Sequence, residues 1–222
     1  MTATCALMFC GVIGTSVLSA AELSTYRGFQ FGMDLSAAAQ QAGVKASDAK
    51  RVHQRPALIE ELEWHPGGFR SSDNADPIKE GLLCFYKGEL YRIVVTYDRD
   101  RVAGMTADDI IAAISGTHGI ATRPNAEVAY HSNYAEVAPV IARWQDSEYS
   151  YNLVRSGRGD SFGLVMYSKR LDALATAAIT EAVRLDTVEA PKRAIEASQK
   201  QEREDRLALE KARSENAPNF QP

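Results

Sequence analysis

Two stretches of this chain echo each other, and the echo limits what it can fold into. "GMDLSAAAQQAG", from Gly32, and "GMTADDIIAAISG", from Gly104, each set a Gly-Met pair ahead of a capping residue and a short Ala-rich helix. Asp34 and Thr106 suit the N-cap positions, Asp109 stands at the third position of a capping box, and Gly43 and Gly116 suit the helix ends. A strand-like run ending in Trp follows each helix, "ALIEELEW" to Trp64 and "PVIARW" to Trp144. Two more strand segments follow each Trp, in "LLCFYKGELYRIVVTYD" and "YSYNLVRSGRGDSFGLVMYS". The shared order predicts an α+β fold, an antiparallel sheet with helices on one face, built as two degenerate α-β-β-β repeats over 22–98 and 99–190.

In the first hairpin, a three-residue loop ending at Gly88 places Leu83, Phe85, Tyr91, Ile93, Val95 and Tyr97 on one face. Cys84, Leu90, Arg92, Val94 and Thr96 then share the other. On that pattern Cys84 reads as a packed small hydrophobe, not a reactive thiol.

The start of "FGMDLSAAAQQAG" and the later "FYKGELYRIVV" resemble the small envelope modules of the BamE (SmpA/OmlA) and β-lactamase-inhibitor-protein type. The resemblance covers the helix start and one hairpin in each half. It implies helices followed by antiparallel strands, and a non-enzymatic, protein-binding surface in the envelope. The lipobox cysteine of a BamE-like lipoprotein is absent, since Met8 and Phe9 precede Cys10 where small residues belong.

The first charged side chain is Glu22. Before it, an apolar run followed by "LSAA" reads as a signal peptide over residues 1–21, which predicts a periplasmic or secreted protein. An uncleaved anchor is the alternative, but Gly, Ser and Thr make the run a poor span, and no stable membrane span is expected after cleavage. Cleavage removes Cys5 and Cys10, so Cys84 has no partner for a disulfide and stability must come from burial. A net charge of −4 and scattered basic residues give no nucleic-acid footprint.

From Leu171 a helix is expected, with Leu174, Ala178, Ala182 and Leu185 on one stripe and Ile179 beside it, docked on the sheet. At Pro191 the character changes. Residues 191–222 are rich in both charge signs and read as a solvated helix or a frayed, disordered tail. Glu196 with Lys200 and Glu202 with Arg206 are well-oriented i,i+4 pairs, while Ile195, Leu207 and Leu209 do not sustain heptads. This tail is the expected contact for a partner, another envelope protein.

Chemical motifs fail on context. "SGRGDSFG" contains Arg158-Gly159-Asp160 and a Gly-x-Ser-x-Gly frame around Ser161, but a nucleophile elbow needs a helix after the serine and here "FGLVMYS" follows. The order His53, Asp98, Ser161 copies that of chymotrypsin-like proteases without their flanking sequence. Gly157, Gly159 and Asp160 are what a hairpin turn wants. Ser47 and Lys50 form an S-x-x-K frame with Ser72-Asp73-Asn74 downstream, yet no Lys-Thr-Gly follows, and Ser47 reads better as a helix N-cap.

His53, His65, His118 and His131 lack metal-ligand spacing, and "DNAD" from Asp73 is too short for a calcium loop. Glu60, Glu61 and Glu63 beside Trp64 offer an acidic pair for sugar chemistry, but Glu61 and Glu63 share one strand face and are more simply its wet side. No catalytic, cofactor or metal residue is assigned. The expected function is a non-catalytic interaction module. The alternatives are a small exported serine hydrolase using Ser161, or a small-ligand carrier with a deep apolar pocket between the sheet halves.

Overall fold

Backbone hydrogen bonds gather the strand-forming runs into one eight-stranded antiparallel sheet. The structure, a computed structural model, describes residues 22–66, 76–130, 137–155 and 161–219. The expected signal segment lies outside them, as do Ser72-Asp73-Asn74, His131 and residues 156–160, where a turn is expected. A small ribbon comes first, β1 (Thr25–Tyr26) with β2 (Phe29–Gln30). Then follow α1 (Leu35–Ala42), a 3-10 turn (Ala46–Asp48), β3 (Lys50–His53), β4 (Ile59–Trp64), β5 (Ile78–Tyr86) and β6 (Glu89–Tyr97). The order repeats with α2 (Ala107–His118), β7 (Glu127–Ala129), β8 (Val137–Gln145), β9 (Tyr149–Arg155) and β10 (Phe162–Ser168), and α3 (Lys169–Asn216) ends the fold.

The strand order is β3-β4-β5-β6-β10-β9-β8-β7. Two four-stranded meanders meet through their last strands, antiparallel, with Leu164 opposite Val95 and Met166 opposite Ile93. Antiparallel pairing of equivalent strands is what a two-fold rotation between the halves produces. Each unit has one strand more than the sequence suggested, because β3 and β7 are only four and three residues long and leave no readable alternation.

Local chemistry sets the helices. Ala37 N–H donates to the Asp34 carboxylate at 2.8 Å, and Gly43 ends α1 in the left-handed region at φ 71°. Thr106 and Asp109 close a reciprocal capping box on α2. Gly116, expected to end that helix, lies inside it; Gly119, at φ 78°, is the terminator. Ser47 is not a cap either, since it lies within the 3-10 turn whose N-cap is Lys45.

The β5–β6 loop corrects the expected register. Tyr86 pairs with Glu89, which leaves a two-residue turn in which Lys87 (φ 52°) and Gly88 (φ 83°) both take positive φ, as a type I′ turn requires. A bulge then falls at Tyr91, between the pairs Phe85–Leu90 and Cys84–Arg92. Leu90 therefore joins Phe85, Leu83 and Ile93 on one face, and Tyr91 turns to the other with Cys84.

One face, built on Leu62, Leu83, Phe85, Ile93, Val95, Leu153, Leu164 and Met166, packs against Ala38 and Ala39 of α1 and Ile110 of α2. Both tryptophans lie in this layer. Trp64 meets Phe29 edge-on and covers Gly81, where a Cβ would come within 2.5 Å of its ring. Trp144 donates its indole N–H to the Gly119 carbonyl at 3.0 Å, which fixes the end of α2. The third helix does not share this face. Leu171, Ala175 and Ile179 of α3 pack on Ile59, Cys84 and Tyr91 of the opposite one. The buried stripe is Leu171, Ala175, Ala178, Ile179 and Ala182; Leu174, expected on it, points outward.

Candidate functional site

α3 is anchored by a buried charge. Arg92, 2% exposed on β6, donates to one Asp172 oxygen through Nε (2.8 Å) and Nη2 (2.6 Å), and through Nη1 to the Ala129 carbonyl at the end of β7 (2.8 Å). Its guanidinium also lies over the Tyr167 ring. One side chain thus ties the first turn of α3, the sheet centre and the far edge strand together. The helix crosses the first half of the sheet, and Glu189 pairs with Arg55 in the β3–β4 loop at 2.8 Å.

Past that pair, α3 leaves the domain. Every described residue from 190 to 218 is exposed, which makes an arm of roughly 40 Å at 1.5 Å per residue. The tail expected as helix or coil is helix through Asn216, and Pro191 lies inside it. Proline offers no N–H to the preceding turn. Arg193 reaches back over that turn and donates to both the Asp186 carbonyl (3.2 Å) and its carboxylate (2.8 Å). Loose i,i+4 ion pairs at 3.8–4.0 Å join Lys192 to Glu196, Lys200 to Glu204 and Lys211 to Glu215. Glu196 and Lys200, expected to pair with each other, turn to these other partners.

On the same sheet face, beyond the ground covered by the start of α3, lies a groove of about 270 Å³. Leu82 and Val94 form its floor, Glu61 and Glu63 of β4 and Glu80 of β5 line it, and His65, Thr96 and Tyr130 complete it. Glu63 stands opposite Leu82 and diagonal to Glu80, so strand alternation alone puts the carboxylates on one side. The Tyr130 and Thr96 hydroxyls share a 2.7 Å hydrogen bond. Tyr130 can lie flat because its neighbour is Gly163, where a Cβ would fall 2.7 Å from the phenol oxygen.

No family model, curated protein or solved structure matches this chain.

The sequence motifs disperse over the fold. Ser161 is buried and donates to the Tyr97 carbonyl at 2.6 Å, and β10 begins at the next residue. Asp98 accepts the backbone N–H groups of Asp100 and Arg101 in a turn. His53 is in β3 and His118 ends α2. Cys84 is fully buried, and burial pushes its thiol pKa far up. Among the described residues no group of three or more His, Cys, Asp and Glu is placed to hold a metal ion. No helix among them is long and apolar enough to cross a membrane. Glu61 and Glu63 were legible as one wet strand face. Glu80, Thr96 and Tyr130 join them only through strand pairing, a signal a single sequence does not carry.

Proposed function

We propose that this chain is an exported, non-catalytic protein-interaction module of the envelope, in which the solvated arm of α3 is the element that grips the partner. The observation that supports this is the continuation of α3 beyond Glu189 with no buried residue. Nothing in the domain packs on this stretch, and exposed ion pairs add only a few tenths of a kcal/mol each to its helix. A packed partner supplies what the domain does not.

The arm also has the chemistry for a partner's groove. Ile195 and Leu209 are exposed and fourteen residues apart, so they fall on one side of the helix, with Glu202 midway between them. That pattern fits a mixed polar and apolar surface better than a second copy in a coiled coil.

The test is co-purification of the full chain and of a chain ending at Ala190, expressed side by side from the same cells. A near-stoichiometric companion retained by the full chain and lost from the shorter one is expected. Equal recovery with both chains contradicts the assignment of the arm.

A further inference from the structure

We propose that the pocket at the start of α3 binds the carboxylate of a small aromatic acid. The pocket, about 300 Å³, lies at the opposite end of α3 from the arm, so the argument is independent of the partner proposed above. Its volume is at the lower end of what small-molecule sites occupy. It forms where the β8–β9 loop meets the helix. The Asp146 carboxylate accepts the N–H groups of Glu148 and Tyr149 at 2.7 and 2.6 Å, and the Glu148 carbonyl accepts the N–H of Lys169 at 2.8 Å.

The sign of the guest follows from Ser168, the N-cap residue of α3. Its side chain caps nothing, unlike Asp34 on α1 and Thr106 on α2. Ser168 is only 8% exposed, it lines the pocket, and among the described residues its hydroxyl makes no hydrogen bond. A buried hydroxyl left without a partner costs free energy that an acceptor seated in the pocket recovers. The first turn of a helix also presents N–H groups with no intrahelical acceptor. That of Lys169 is taken by Glu148, and Arg170 and Leu171, the next two residues, both line the pocket. These donors and the positive end of the helix dipole favour an anion. Arg170 adds a full charge, exposed and taken up by no ion pair among the described residues.

The lining narrows the class of anion. A carboxylate has two oxygens, one for the Ser168 hydroxyl and the helix N–H groups, the other for the Arg170 guanidinium. Glu148 lines the same pocket and repels any further negative charge, which favours a carboxylate over a phosphate dianion. Phe31 and Tyr149, stacked with ring centroids 5.5 Å apart, supply the apolar wall. Aromatic rings take a further ring edge-on or offset, so the body of the acid is aromatic.

The experiment is a titration of the full-length, ¹⁵N-labelled chain with benzoate, benzamide and inorganic phosphate, followed by NMR. Benzoate should shift the backbone amides of Arg170 and Leu171 saturably, and benzamide, of the same shape without the charge, should bind about tenfold more weakly. Ser168→Ala should weaken benzoate binding about tenfold, the worth of one hydrogen bond to a charged group. Arg170→Gln, a change at an exposed position, should weaken it as well, and both variants should keep the parent's circular dichroism. Benzamide binding as well as benzoate, benzoate binding that survives either substitution, or no saturable shift at the two amides overturns the site. Phosphate binding more tightly than benzoate overturns the assignment to a carboxylate. An acetylated tripeptide ending in a free phenylalanine carboxylate, if it binds more tightly than benzoate, overturns the assignment to a small acid in favour of a protein C-terminus.

Discussion

Arg92 is the charge this fold can least afford to strand. Its guanidinium is almost wholly buried, and Asp172 is its carboxylate partner. Removing one member of a buried pair leaves the other uncompensated, so Asp172→Ala should destabilise the protein by about 3 kcal/mol, read from urea unfolding. A loss under about 1 kcal/mol would mean that the Ala129 carbonyl and the Tyr167 ring suffice. His118 carries a different liability. Its Nδ1 is buried with no hydrogen-bond partner among the described residues, its ring meets Tyr151 edge-on at 5.0 Å, and burial holds its pKa below the usual 6.5. Above that pH both folded and unfolded chains hold it neutral and no penalty arises. Below it the unfolded chain takes up a proton that the folded one resists, so stability falls with pH until the folded group also titrates. His118→Gln should therefore narrow the gap between urea midpoints at about pH 7 and about pH 5.5. An unchanged gap would place the acid sensitivity elsewhere.

At the scale of elements, α3 divides at Glu189. Leu171, Ala175 and Ile179 cover Ile59, Cys84 and Tyr91, Ala178 and Ala182 are buried beside them, and each large buried side chain contributes about 1.5–3 kcal/mol. A chain ending at Ala190 keeps this stripe and the Arg55–Glu189 pair, so its thermal midpoint should stay close to that of the full chain. A chain ending at Lys169 exposes the cluster and should not fold cooperatively. If the chain ending at Ala190 also unfolds, the arm is packed into the domain. The same elements show what was legible in the sequence. Asp34, Gly43, Thr106 and Asp109 act within one turn of chain, and their roles could be read directly. Gly116 and Gly119 are chemically alike, and only backbone geometry separates them. The Tyr91 bulge, the short β3 and β7, and the choice of opposite sheet faces for α3 and the other helices depend on pairing between distant segments. The acidic groove is of that kind, half of it visible as Glu61 and Glu63 and half assembled by the register of β5 and β6.

The described residues form one eight-stranded antiparallel sheet domain from which one helix departs. The domain uses both faces of its sheet, with α1 and α2 on one and the start of α3 on the other, so its burial closes without the arm. In the function proposed above, the solvated arm has its use outside the domain. The direct measurement is site-specific photo-crosslinking in cells, with the photoreactive residue placed in turn at Leu209 on the arm and at Val137, an exposed position at the start of β8. A discrete crosslinked partner is expected from Leu209, of one identity by mass spectrometry, and none of that identity from Val137. A partner captured from Val137 and never from Leu209 would contradict it.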